Sequence, residues 1–231
     1  MKPVILVTCY LLIFSCHLYA QTNSWTIKAG QEIKEAISPS VRFRYPEFVS
    51  GNVYFKDGTT SQAQLDFNLL NEEMQFINPN GDTLSIDNEA TIKYITINND
   101  TFYYSKVYLE LVTSNPLIKI AKKQRLKVGE IKKIGGYEQA SSTSAITSVS
   151  SLTHRAGVTN LNQRAELLLL KETIYYIGDN YNRFSPANKK NVMKMFGRQE
   201  LLIENFLTEN KIKFNNEDDL KMLITFLKKI Q

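Results

Sequence analysis

The close spacing of chain reversals between Val53 and Thr113 limits the fold more than any other feature. Short β-favouring runs alternate there with turn signals. VYF precedes Lys56-Asp57-Gly58, QAQLDFN precedes Leu69–Glu72, and MQFI precedes Pro79-Asn80-Gly81. TLSI then precedes Asp87–Glu89, and TIKYITI precedes Asn98-Asn99-Asp100 and TFYYSKVYLELV. A parallel crossover needs a dozen or more residues, which these connections lack, so neighbouring strands run antiparallel as a meander.

Within this region Asn78, Asn80 and Asp82 alternate in the manner of calcium ligands. A calcium loop of that type places glycine after its third ligand and a bidentate Glu near its end. Here Gly81 lies between the second and third oxygen-bearing residues and Pro79 stiffens the first interval. The stretch therefore reads as a turn, with Pro79 pre-set for the first central position and Gly81 free to take positive φ.

Before the meander, Trp25 reads as a packing anchor, and Arg44-Tyr45-Pro46 marks an edge or the entry to the first hairpin. Residues 135–154 are rich in Ser and Thr and poor in charge, as expected of a linker or mobile loop. Ile146, Val149 and Leu152 keep a polar strand pair open as the alternative. AELLLLKETIYYIGD then predicts one or two strands returning to the sheet. Ser185 with Pro186 signals a helix start, with the helix running to about Phe196, and Arg198 to Asn210 gives a second helix with Leu202, Phe206 and Glu209 along one side. Asn216, with Asp219 three residues on, caps a third helix, in which Leu220, Leu223, Phe226, Leu227 and Ile230 recur at helical period. The expected fold is α+β: an antiparallel β-meander or partial barrel over 21–136, a Ser/Thr-rich loop or linker over 137–153, and a strand-plus-helices region over 154–231 that packs on the sheet.

Residues 1–20 read as a secretory signal peptide. Lys2 is their one charge, the apolar run Val4 to Phe14 is too short to span a bilayer comfortably, and Ala20 precedes a cleavage site before Gln21. The rival reading is a lipoprotein with lipid on Cys16. Both cysteines, Cys9 and Cys16, fall in this segment, so cleavage before Gln21 leaves no thiol for a disulfide, a nucleophile or a metal. The expected location is the periplasm or outer membrane, where nucleic acid is not an expected partner.

The formal net charge of +5 is mild, and its basic residues concentrate between Lys119 and Lys133. Lys119, Lys122, Lys123, Arg125 and Lys127 form a candidate patch for an anionic lipid surface or acidic glycan. The alternative is a solvated strand whose lysines block edge-to-edge pairing. Tyr103, Tyr104 and Tyr108 are candidate aromatic contacts. Strand alternation puts Phe102, Tyr104 and Tyr108 on one face and Tyr103 on the other, so at least one ring reaches solvent, against the alternative of core rings with hydroxyls at the rim.

No phosphate-binding glycine loop, H-E-x-x-H or S-x-x-K motif occurs in the chain. His154, the one histidine left after processing, lies among Ser and Thr and reads as a loop residue rather than a catalytic base. No catalytic, metal or cofactor residue is assigned. Asp66, Glu72, Glu73, Asp82 and Asp87 lie in or beside turns, and no pair of them stands out as the facing carboxylates of a hydrolase.

The signal ending in Ala-Gln, RYPEFVSGNVYFKDG (44–58), AQLDFNLLNEEMQFINPNGDTL (63–84) and FLTENKIKFNNEDDLKMLITFL (206–227) together resemble an uncharacterised family of exported Bacteroidota proteins. That family has a β-rich N-terminal half and a short helical tail. The resemblance implies a cell-envelope location and carries no catalytic residue. The expected role is a non-enzymatic interaction module whose partner is an envelope protein or glycan. A curled sheet carrying a small ligand or glycan is the alternative, and a carboxylate-dependent hydrolase comes third.

Overall fold

The computed structural model describes residues 24–134, 140–141 and 165–230. The expected signal peptide, Cys16, His154 and the 137–153 segment apart from Ala140–Ser141 lie outside the described residues. The meander consists of β2 (Val49–Phe55), β3 (Thr60–Asn68), β4 (Glu73–Ile77), β5 (Thr83–Ser85), β6 (Ile92–Ile97), β7 (Asp100–Tyr104) and β8 (Tyr108–Ser114), and it leads into the long β9 (Ile118–Ile134). Ahead of it lie β1 (Ser24–Ile27), α1 (Ile33–Ala36) and α2 (Pro39–Arg42). After it come β10 (Ala140–Ser141), β11 (Ala165–Asp179), β12 (Phe184–Pro186), α3 (Lys189–Met195), α4 (Glu200–Glu209) and α5 (Glu217–Lys229).

The strands form one antiparallel sheet in the order β1-β11-β9-β8-β7-β6-β2-β3-β4-β5, with β10 beside β9 and β12 beside β11. Sequential hairpins build β2-β3-β4-β5 and β6-β7-β8-β9; the remaining joins are longer-range, β6 crossing back to pair with β2, β11 pairing with β9, and β1 pairing with β11. β5 has three residues, all exposed, and offers no apolar face. Ile92, Ile95 and Ile97 of β6 are buried, and β2 gives them Val53 as a neighbour.

Local chemistry sets the turns. Asn78 Oδ1 accepts the N–H groups of Asn80 at 3.0 Å and Asp82 at 2.8 Å, and Gly81 takes φ +89°. The oxygen that a cation would need is spent on the backbone, as a turn requires.

One side-chain ladder runs Val53, Ile95, Phe102, Glu110, Lys122 and Tyr175 across β2, β6, β7, β8, β9 and β11. Directly paired residues share a face, so these six lie on one side. That side is concave and divides into three zones along the β9–β11 ribbon. Leu126, Val128, Leu167 and Leu169 join the core of the curled meander. Ile118, Ile120 and Ile177 join a second core with Ile203, Leu207, Leu220, Leu223 and Leu227 of α4 and α5. Between them lie Lys122, Gln124, Thr173 and Tyr175, paired across the two strands.

The expected helix cap at Asn216 is present, its side chain accepting the Asp219 N–H at 3.0 Å. The expected helix start at Ser185–Pro186 is corrected: these residues lie in β12, and α3 is capped by Asn188, which accepts from Asn191 N–H. Phe184 seats its ring where a Cβ on Gly178 would stand. That contact holds 184–186 on the sheet, where proline is tolerated at an edge. In α4 the buried stripe is Ile203 and Leu207, while Leu202 is exposed.

Candidate functional site

Alternation in β7 and β8 separates the three candidate tyrosines. Tyr108 is buried on the concave side against Phe67, and Tyr104 packs edge-on to it at 5.0 Å. Tyr103 emerges on the convex face. There it is 6.4 Å from Tyr94 and 5.5 Å from Phe184, ring to ring, with Lys119 Nζ 5.5 Å from its ring centre. Tyr54 continues the strip, stacked on Tyr94 at 4.5 Å. All four rings are half-buried. The convex strip Tyr54–Tyr94–Tyr103–Phe184 is assembled from β2, β6, β7 and β12. The sequence reading named Tyr103 alone of these rings. Tyr54 and Tyr94 share its outward parity, but only the β2–β6–β7 register makes them neighbours.

Tyr54 and Tyr94 turn one face each toward the other, and Tyr103 offers one face to the Lys119 ammonium.

The basic run is distributed between the two faces. Lys122 points to the concave side and pairs with Glu110 at 3.1 Å. On the other side Lys119 Nζ donates to Asn182 Oδ1 at 2.7 Å. Lys123 and Arg125 share Glu72, and Arg125 and Lys127 share Glu172. Partial burial pushes the Glu172 carboxyl up, but hydrogen bonds from Lys127 and Arg125 outweigh it and hold the group below its ordinary range. The five cations thus each have a neutral or anionic partner within the chain. Those partners, Glu72, Glu110, Glu172 and Asn182, are remote in sequence.

The concave side carries a second polar cluster. Arg44 Nε donates to Glu110 at 2.9 Å, and its Nη2 lies 3.4 Å from Asp100, which also accepts the Tyr45 hydroxyl at 2.7 Å. Burial acts to raise the Glu110 carboxyl, yet the Arg44 hydrogen bond and the Lys122 charge bring it below the ordinary value. The small void beside it, lined by Phe67, Phe102, Tyr108, Glu110, Lys122 and Gln124, holds about 10 Å³. A water needs at least that much room, and a metabolite far more. The turn-associated carboxylates are engaged locally. Asp66 accepts backbone N–H from Phe67 and Tyr45, Glu73 accepts the Ser85 hydroxyl, and Asp82 accepts from the Asn78 amide. Among the described residues, no group of three or more His, Cys, Asp or Glu side chains is placed to hold a metal ion. No described helix is long and apolar enough to cross a membrane.

No protein-family model, curated protein or solved structure matches this chain.

Proposed function

We propose that this chain is a non-enzymatic, exported module of the periplasm or outer membrane that binds another macromolecule through the convex aromatic strip. The observation that carries this reading is the filled concave side. Among the described residues, side chains of both cores and the Arg44–Glu110–Lys122 cluster pack the concave side around a void of about 10 Å³, where a carrier would keep an apolar cavity of several hundred Å³. The convex strip adds half-buried aromatic rings with polar edges, the kind of residue that anchors protein interfaces. The resemblance to exported Bacteroidota proteins supports the envelope location and leaves the partner to experiment.

A photo-crosslinking residue at position 103, installed in the chain expressed in an envelope-bearing host, tests the proposal. The expected outcome is one saturable crosslinked partner, lost when Tyr94 and Phe184 are both replaced by Ala and retained in Lys189→Ala. Diffuse crosslinking unaffected by the double substitution, or a small ligand co-purifying in stoichiometric amount, rejects it.

A further inference from the structure

Lys119 is placed differently from the cations that follow it in β9. Lys122, Lys123, Arg125 and Lys127 bind carboxylates. Lys119 instead donates from Nζ to the side-chain oxygen of Asn182 at 2.7 Å, with the Asn180 carbonyl 3.5 Å away. The two side chains are 63 residues apart in sequence. Pairing of Lys119 with Gly178 sets the lysine beside the end of β11. The turn that follows is closed by the Asn182 N–H on the Asp179 carbonyl at 3.1 Å, and it brings the amide to Nζ.

Three conditions for joining an amine to an amide meet here. The amine is in contact with the amide oxygen, so the carbon it must attack is one bond further on. Its charge is weakened, because partial burial pushes the Lys119 ammonium below its ordinary range and outweighs the opposing pull of Asp179. The Tyr103 ring, centred 5.5 Å from Nζ, and Phe184 packed against that ring cover this side. A carboxylate also stands close enough for its charge to act on the lysine. Burial acts to raise the Asp179 carboxyl, but hydrogen bonds from Arg183 and Tyr181 bring it below its ordinary value and fix its orientation.

We infer that Lys119 and Asn182 join in an intramolecular isopeptide bond, with Asp179 as the proton-transfer group. The uncharged amine attacks Asn182 Cγ, and Asp179 accepts a proton from the attacking nitrogen and returns it to Nδ2. The Nζ–Cγ bond forms, the Cγ–Nδ2 bond breaks and ammonia leaves, with no oxidant or cofactor needed. A contact held by the fold supplies the high effective concentration such a step requires. The product ties β9 to the β11–β12 turn and restricts the unfolded chain as a disulfide does, in a protein whose two cysteines both lie in residues 1–20. It does not depend on what the convex strip binds.

Peptide mapping by mass spectrometry, after the purified chain has stood in mildly alkaline buffer, tests it. Trypsin is expected to release a branched peptide joining residues 107–122, through Lys119, to residues 172–183, lighter by one ammonia than the two parts together. Intact mass alone does not suffice, because cyclisation of an N-terminal Gln21, or of Asn80 onto Gly81, also expels ammonia. Lys119→Arg and Asn182→Gly should abolish the branched peptide, glycine keeping the positive φ of residue 182. Asp179→Asn retains an oxygen for the N–H groups of the turn and should slow the reaction on the order of a hundredfold, as loss of acid–base catalysis does. The linked chain should also unfold at higher urea concentration than Lys119→Arg. The inference fails if folded wild-type chain yields only the separate peptides 107–119 and 172–183, which would make the contact a hydrogen bond alone. It fails equally if Asp179→Asn links as fast as wild type. None of these measurements involves a partner, so this proposal and the crosslinking test at position 103 can fall separately.

Discussion

Leu126 in the middle of β9 donates its backbone N–H to the carbonyl of Leu69 at 2.8 Å, linking the end of β3 to a strand on the far side of the curled sheet. Both side chains are buried, at 1% exposure. Beside this bond Glu72 pairs with Lys123 and Arg125 across the same seam. The sheet remains open in its strand pairing but is clasped here. Leu126→Ala should cost about 2–5 kcal/mol, as large-to-small changes in a packed core do. Glu72→Gln should cost less, about 1–3 kcal/mol, because it strands the nearly buried Lys123 ammonium without opening a cavity. Urea unfolding measures both, and the order of the two losses is the informative result: an equal or reversed order would mean that the ion pairs, not the packing, hold the seam.

Asp66 gives stability an unusual pH dependence. Its carboxyl is 1% exposed, and burial pushes its pKa up from 3.8 to about 6 against the pull of backbone N–H groups from Tyr45 and Phe67. Between those values the folded chain binds the proton more tightly than the unfolded chain. This group's contribution is therefore greatest below pH 3.8 and is lost as pH rises through about 6. Full ionisation costs on the order of 3 kcal/mol. Asp66→Asn keeps an oxygen acceptor without the charge, so its stability relative to wild type should rise from pH 4 to pH 7. A difference that stays flat across that range would refute the assignment.

Arg44 and Glu110 should show the opposite sign. The Glu110 carboxyl is held below its ordinary value, so its stabilising contribution is present above that value and disappears as pH falls through the lowered pKa. Arg44→Ala removes the hydrogen bond while Lys122 remains, at an expected cost of about 2 kcal/mol. Without Arg44, burial dominates and acid unfolding should begin at higher pH than in wild type. Circular dichroism against pH reads that onset, and an unchanged onset would place the support of Glu110 on Lys122 alone.

Two glycines test how closely the backbone packs. A Cβ on Gly178 would stand 2.5 Å from the Phe184 ring, and one on Gly51 would stand 2.6 Å from the Thr96 carbonyl oxygen. A half-buried ring can move, whereas a carbonyl within a paired strand cannot. Gly51→Ala should therefore destabilise more than Gly178→Ala, for which about 1–3 kcal/mol is expected. Phe184→Ala should recover most of the Gly178→Ala loss in a double-mutant cycle. Additive losses would show that the two residues do not compete for space.

The sequence by itself determined the features that depend on a few adjacent residues. Pro79, Asn80 and Gly81 specify their turn, Asn216 and Asp219 specify the start of α5, and the short spacing of reversals makes the neighbouring strands antiparallel. Each is a backbone preference or a hydrogen bond satisfied within a turn of chain. The tertiary structure decided what depends on register between distant segments. It sent β6 back to β2 to cover Ile95, drew 184–186 onto the bare backbone of Gly178, and paired the cations of β9 with Glu72, Glu110 and Glu172. It also set Tyr54, Tyr94, Tyr103 and Phe184 side by side. A strand's side-chain period of two tells which residues share a face, but only the pairing of strands, driven by burial of the common core, tells which faces meet.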